Sequence, residues 1–329
     1  LPPFPSNLPT APIAEISSQA LFTHDPTAIS ALLEACTTHG FFYLDLRDSP
    51  SGRSLLTQSL SLLSLAQTAF ALPLDEKLPH KLTPGGSLFG YKPVGTVKAT
   101  DKDKRPDTTE FFNVSKDHMH GFAEPRSYPP IILESAPLFR TFQKEAHEVG
   151  LAVQAGLARA QGLPEDTFQS QNIFTKRSGD HVRLTHTAPT IAADAVGLPS
   201  HTDFGSVTIL FNWLGGLQIQ SRAEGRVGEW DYVKPLPGRA VINLGDAMVS
   251  FTAGKLKSAK HRVVPAPGEQ GKCERYSVVY FVRPHDEAIM APVEGFKGEV
   301  NVAGKFDGEL ERGRVYTAGE WMLMRGRQL

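Results

Sequence analysis

HTDFGSVTILF, residues 201–211, joins two dissimilar halves. Its tail, SVTILF, has the β-branched and aromatic residues of a buried strand. Its head sets a histidine and an aspartate two positions apart, although aspartate is a poor strand former. Side chains two apart on a strand point to one face. If the strand continues back through Ser200 to Asp203, His201 and Asp203 project together. They then form two thirds of a two-histidine, one-carboxylate facial triad, which holds non-haem Fe(II) and leaves coordination positions open. The missing histidine is best supplied by His261 in KSAKHRVV, at the start of a strand-like run 58 positions after Asp203.

The same two-residue spacing recurs downstream. Arg275-Tyr276-Ser277 opens the run YSVVYFV, so Arg275 and Ser277 share a face. A guanidinium beside a hydroxyl in a β interior is a site for a carboxylate, with two oxygens on the arginine fork and a third donor from serine. A metal face and a carboxylate anchor together suit a dicarboxylate.

Around these residues the chain changes character. Up to about residue 170 it reads as mixed α and β. Pro26–Cys36 has helical spacing and is followed by the strand FFYLDL (41–46). Leu55–Leu72 and Pro137–Gly162 read as further helices, and residues 83–107 as loop. After residue 170 the period falls to two: VRLTH (182–186), SVTILF (206–211), GLQIQ (216–220), RAVINL (239–244) and YSVVYFV (276–282) are short strands between turns. A sandwich, barrel or jelly roll is expected. Thr317-Ala-Gly-Glu320 is a capping box that starts a C-terminal helix. The division is residues 1–170, a mixed portion packing on the core, and 171–329, the β core with its C-terminal helix, together one catalytic unit.

Composition narrows the function classes. The chain has 329 residues, 40% apolar and 21% charged, with a net charge of -1. There is no global basic field to hold nucleic acid or an anionic membrane, and no apolar run of bilayer length. The opening LPPFPSNLPTAP lacks the basic-then-apolar order of a secretory signal. Cys36 and Cys273 make no disulfide framework, which points to a reduced, cytoplasmic setting. A small-molecule substrate and a monomer or weak oligomer are expected.

Other motifs have plainer readings. His118-Met-His120 sits in a loop without a carboxylate pattern, and His186 reads as a satisfied polar residue. Lys255, Lys257, Lys260 and Arg262 form a solvated basic run. Asp246, in NLGD, reads as a turn former. Gly85, Gly86 and Gly90 do not make a dinucleotide fingerprint. DKDKRPD (101–107) reads as a solvated loop, with a lid as the minority reading.

HTDFG, His261 with 57 residues between it and Asp203, and then RYS, in that order, resemble the signature of the 2-oxoglutarate/Fe(II)-dependent dioxygenases, most closely the isopenicillin N synthase-like branch. INLGDAMVSFTAGKLKSAKHRVV, RYSVVYFVRP, CTTHGFFYL, FGYKPVG, DTTEFFNV and TAGEWMLMR are similar to further family blocks, so the resemblance spans roughly the whole chain. It implies a mainly β fold with flanking helices around a double-stranded β-helix core, of jelly-roll, cupin-like type. It implies His201, Asp203 and His261 as iron ligands, and Arg275 and Ser277 as binders of the distal carboxylate of 2-oxoglutarate. Cofactors would be Fe(II), 2-oxoglutarate and O2, with ascorbate as reductant in assays. The reaction would be hydroxylation, desaturation or a related C–H oxidation of a small hydrophobic metabolite, in secondary-metabolite biosynthesis. Phe89, Tyr91, Phe112, Phe204 and Phe251 lie in blocks that border the family's site, and two or three of them are expected to touch substrate. One departure stands out: the family's R-L-x-x-Y-P-P is here Arg183-Leu-Thr-His-Thr187-Ala-Pro189, with threonine in place of a tyrosine that contacts the cosubstrate. The alternatives are a 2-oxoglutarate-independent oxidase of isopenicillin N synthase type and a non-catalytic binding protein.

Overall fold

Period-two sequence becomes two facing sheets in the computed structural model, which describes residues 1–83, 87–96, 106–190, 195–222, 224–297 and 314–326. The strands are β1 Glu15–Ser17, β2 Phe41–Asp45, β3 Gly90–Lys92, β4 Thr109–Ser115, β5 His181–Thr187, β6 Leu198–His201, β7 Val207–Asn212, β8 Leu217–Gln220, β9 Trp230–Tyr232, β10 Arg239–Leu244, β11 His261–Val263 and β12 Arg275–Val282. The major sheet has the order β1-β2-β10-β7-β12-β5-β4-β3, and the minor sheet β6-β11-β8-β9. Apart from β4–β5 and β8–β9, the strands β5–β12 pair with non-consecutive neighbours, as in a jelly roll.

The major sheet is coated on one face by helices. In β12, Val278, Tyr280 and Val282 are fully buried. They turn toward the helix Ala136–Arg159, whose Phe139, Phe142, Ala146, Val149, Val153 and Leu157 form its buried stripe. Contact is close enough that a Cβ on Gly150 would lie 2.5 Å from Val282 Cγ2. The opposite face of β12 carries Arg275, Ser277, Val279 and Phe281 into the gap between the sheets.

Several boundaries move from their sequence expectations. The second helix is Pro50–Ala71, because the Ser49 side chain accepts from Gly52 N at 3.0 Å and Pro50 is suited to the first helical position. Residues 83–107 are not all loop: β3 pairs with β4 inside the stretch read as loop. Residues 97–105, most of the candidate lid, lie outside the described residues; Asp107 is buried and paired with Lys92. The first 115 residues supply β1–β4 to the same sheet as β5, β7, β10 and β12. Among the described residues no single helix is long and apolar enough to cross a bilayer.

On the helix-coated face, Glu110 gathers a buried polar group. It accepts from Lys77 Nζ at 3.0 Å, Tyr91 Oη at 2.5 Å and the His186 ring at 2.8 Å. Burial pushes the Glu110 carboxyl up, but the hydrogen bonds from His186, Tyr91 and Lys77 outweigh it and hold it at about 2. His186 is raised above its usual value: burial opposes its charge, but Glu110 and Glu274 favour it. Glu110→Ala leaves the Lys77 ammonium buried without its anion, and a loss of roughly 3–5 kcal/mol in denaturant unfolding is expected. In the native protein the Glu110 contribution is present above the ordinary glutamate value of 4.5 and fades as pH falls toward 2. The stability gap between the native protein and the variant should therefore narrow in acid.

Candidate metal centre

His201 ends β6 and His261 begins β11, and the two are register partners across the minor sheet. Their ring centroids are 4.4 Å apart. Asp203 approaches from the other side of the gap: Asp203 Oδ1 lies 3.7 Å from His201 Nε2 and 3.8 Å from His261 Nε2. Among the described residues this is the one group of three acidic, thiol or imidazole side chains that could close on a metal ion.

His201 and Asp203 converge for a different reason from the one expected. They do not share one strand. β6 ends at His201 in the minor sheet, and β7 begins at Val207 in the major sheet. Residues 202–206 are the crossing between sheets, and the aspartate is carried across on it. Backbone groups pin this crossing. Asp246 N donates to Asp203 O at 2.7 Å, and Ala247 N donates to Gly205 O at 3.1 Å. A Cβ on Gly245 would lie 2.1 Å from Gly205 O, so only glycine allows that approach. Asp246, read as a turn former, is instead in the first turn of the helix Asp246–Phe251. Its Oδ2 accepts from Thr202 Oγ1 at 2.8 Å and from Arg325 Nη1 at 2.9 Å, which ties the C-terminal helix to the crossing.

The donor atoms are oriented as a metal requires. His201 Nδ1 donates to Pro199 O at 2.8 Å and His261 Nδ1 to Ala259 O at 3.1 Å, which leaves both Nε2 lone pairs facing Asp203. Asp203 Oδ2 accepts from Thr208 Oγ1 at 2.7 Å and Asn243 Nδ2 at 2.8 Å, so Oδ1 remains for an ion. Burial lowers the His201 imidazole to about 3, with neighbouring His261 adding to the effect. Burial pushes Asp203 up, but both histidines and the Asn243 and Thr208 hydrogen bonds hold it far below the usual range. A neutral His201 imidazole and an ionised Asp203 carboxylate, with His261 Nε2 beside them, fit Fe(II).

At the other end of the cavity lies Arg275, register partner of Thr187. Its Nε donates to Gly215 O at 2.8 Å, and no carboxylate pairs with it among the described residues. Burial alone lowers its guanidinium to about 10. An unpaired buried cation fits an anionic ligand, since without one it is costly. Hydroxyls surround it: Ser277 Oγ lies 2.5 Å from Thr185 Oγ1, and Thr187 Oγ1 lies 2.9 Å from Thr109 Oγ1.

The aromatic candidates divide. Tyr91, Phe112 and Phe251 are core residues, not pocket lining. Tyr91 and Phe112 pack together at 4.9 Å on the helix-coated face, and Phe251 is fully buried. Phe89 lines a separate cleft and Phe204 a small recess beside Arg283. Sequence reading passed over Phe281, Thr185, Thr208 and Asn243, and noted Arg183 only as a motif residue; all five line the cavity. The signal was present for Phe281, which continues the alternation of Arg275, Ser277 and Val279. His186 faces Glu110 and Glu274, away from the cavity.

With this geometry, comparison with known proteins is specific. Residues 178–284 match the profile of the 2OG-Fe(II) oxygenase superfamily, and residues 11–132 that of the non-haem dioxygenase in morphine synthesis N-terminal family. A 2-oxoglutarate-dependent dioxygenase of Gibberella zeae is 31% identical over 280 residues, 84% of this chain and 81% of that protein. The 2-oxoglutarate-dependent dioxygenase gloE of Glarea lozoyensis is 31% identical over 287 residues, 86% of this chain and 83% of that protein. Among solved structures, a full-length Neurospora crassa protein in complex with alpha-KG superposes with a TM-score of 0.75 at 23% identity, covering 95% of each chain. The chain belongs to the 2OG-Fe(II) oxygenase superfamily, enzymes that use Fe(II), 2-oxoglutarate and O2.

Because Asn243 and Thr208 hold Asp203 from behind, Asn243→Ala should weaken divalent metal binding about 10–100-fold. Asp203→Ala should abolish it. Calorimetric titration with Mn(II), a redox-stable stand-in, reads both.

Proposed function

We propose that His201, Asp203 and His261 hold the iron and that Arg275 and Ser277 receive the distal carboxylate of 2-oxoglutarate. The observation that carries this reading is a complementary pair of features: a three-donor face on one side, and a buried guanidinium that no carboxylate of the described residues pairs on the other. Thr185, hydrogen-bonded to Ser277, and Thr109, bonded to Thr187, provide hydroxyl donors at the end where the family places a tyrosine. Thr187 itself works through Thr109 in this reading.

Iron, when bound, supplies O2 activation coupled to decarboxylation of 2-oxoglutarate and oxidation of a substrate C–H bond. The chain supplies geometry. Backbone carbonyls of Pro199 and Ala259 fix the imidazole faces, and Asn243 and Thr208 fix the carboxylate. Phe41, Leu198, Leu210, Leu217 and Val263 line the cavity with apolar surface that excludes water.

The substrate in this reading is a small metabolite with an apolar or aromatic body, as the lining supports. The fungal relatives support a place in secondary metabolism. We read residues 1–170 and 171–329 as one catalytic unit, monomeric or weakly associating and cytoplasmic. The shared major sheet supports the single unit, and the free thiols Cys36 and Cys273 support a reducing compartment.

Incubation with Fe(II), ascorbate and 2-oxoglutarate should yield succinate in a 2-oxoglutarate-dependent manner, stimulated by substrate. Arg275→Ala should cost roughly 3–5 kcal/mol of cosubstrate binding, or about two to four decades in Kd. Near-native 2-oxoglutarate affinity in that variant would count against the assignment, and substrate oxidation without 2-oxoglutarate would indicate an oxidase instead.

A further inference from the structure

Toward the end of β12 opposite Arg275, the inner wall becomes cationic. Arg183 projects from β5, where it is the register partner of Val279. Its guanidinium lies over the rings of Phe111 at 4.2 Å and Phe281 at 5.0 Å, and its Nε donates to Asn113 Oδ1 at 2.8 Å. Arg283, just past β12, is 5% exposed and lies over Phe204 at 4.1 Å and Phe281 at 5.5 Å. Its Nε and Nη1 are buried and have no hydrogen-bond partner among the described residues. Phe281 therefore sits between two guanidiniums, neither of which forms an ion pair among the described residues.

Nearby acids are engaged elsewhere. Asp180, behind Arg283, accepts from His147 Nδ1 at 2.9 Å, Tyr280 Oη at 3.0 Å and the Arg283 backbone N at 2.7 Å. Asp246 is taken by Arg325. Asp286 lines the recess beside Arg283, and Asp203 lines the cavity with Arg183 and Arg275, but among the described residues neither forms an ion pair with these guanidiniums. Fe(II) and the 2-oxoglutarate dianion cancel in charge, and the dianion's distal carboxylate is taken by Arg275, so loading the site supplies no ion-pair partner to Arg183 or Arg283. Uncompensated buried cations are costly unless a ligand pairs with them.

A second cleft leads the same way. It has a volume of about 550 Å³ and carries His80, Lys81, His118, Arg126 and Arg177 against one carboxylate, Glu124. Phe89 in its wall meets the His181 ring edge-on at 5.8 Å, and His181 stacks on Phe281 at 4.6 Å. An aromatic wall thus runs from a basic cleft to the arginine-flanked ring.

We propose that the substrate is an organic carboxylate whose acid group is received by Arg183 and Arg283, with its apolar body against Phe281 and Phe204. This rests on the assignment of the iron and 2-oxoglutarate positions above. A carboxylate is favoured over a phosphate because a monoanion costs less to strip of water among phenylalanines. Arginine stacked on a ring keeps its in-plane N–H edge free for two oxygens. The arginine pair selects and orients the substrate, while Arg275 is reserved for the cosubstrate.

The test uses the full chain loaded with Mn(II) and 2-oxoglutarate, with benzoate, cinnamate and hexanoate as probes, each against its primary amide. Calorimetry should show at least one acid binding about tenfold or more tighter than its amide. Arg183→Gln and Arg283→Gln should each abolish that preference while Mn(II) and 2-oxoglutarate affinities stay within about twofold of native. Ligand-free Arg283→Met should have an unchanged or higher Tm, because it removes a buried guanidinium that forms no ion pair among the described residues and whose Nε and Nη1 lack hydrogen-bond partners. Where a glutamine variant misfolds, Arg183→Lys and Arg283→Lys keep the charge and should retain part of the preference. The proposal is overturned if no acid outbinds its amide in the native protein, or if the preference survives in both glutamine variants. Failure of the native protein to bind Mn(II) or 2-oxoglutarate overturns the underlying assignment instead, and is read separately in the same titrations.

Discussion

Asp203 must remain an ionised carboxylate in a gap between two sheets, and much of the surrounding structure serves that requirement. A buried anion is costly by itself. Here it is held by two imidazoles from the minor sheet on one side and by Thr208 and Asn243 from the major sheet on the other. The sheets cannot separate or slide without breaking this set. The crossing at residues 202–206 is therefore both the link between the sheets and the support of the centre. The C-terminal helix is drawn into the same constraint through Arg325, Asp246 and Thr202.

Polar chemistry is sorted by strand face. On β4 and β5, one set of alternate residues (Thr109, Arg183, Thr185) lines the cavity. The other set, Glu110 and His186, joins Lys77 and Tyr91 beneath the helices. The strand period separates these two buried polar groups by no more than the thickness of a sheet. One is fully satisfied within the chain and contributes stability. In the other, the hydroxyls are hydrogen-bonded but the Arg183 guanidinium forms no ion pair among the described residues, which suits that face to an anion.

Along the cavity-facing side of β12, chemistry changes with position. Arg275 and Ser277 present donors, Val279 is apolar, and Phe281 is an aromatic surface flanked by arginines. A single strand thus carries the buried Arg275 guanidinium and the arginine-flanked ring of Phe281 in register, with the His201–Asp203–His261 group opposite. Asp203 meets this gradient near Phe281, whose register partner Thr208 donates to it. The reacting position therefore falls between an apolar and a cationic wall.

The sequence by itself determined the ligand types, their order and the alternation that turns Arg275 and Ser277 together, because strand period and donor chemistry are local properties. It also marked the main helices, whose apolar stripes repeat every three or four residues. Tertiary structure decided the rest. His201 faces His261 only because β6 and β11 pair in that register, and Asp203 joins them by crossing between sheets, not by continuing a strand. Tyr91, Phe112 and Phe251 have the composition of pocket residues but fall on packed faces. Arg183 and Arg283 are 100 positions apart in the chain, and only the β5–β12 pairing places both beside Phe281. Register and face are set by long-range pairing and burial, which a linear pattern does not encode.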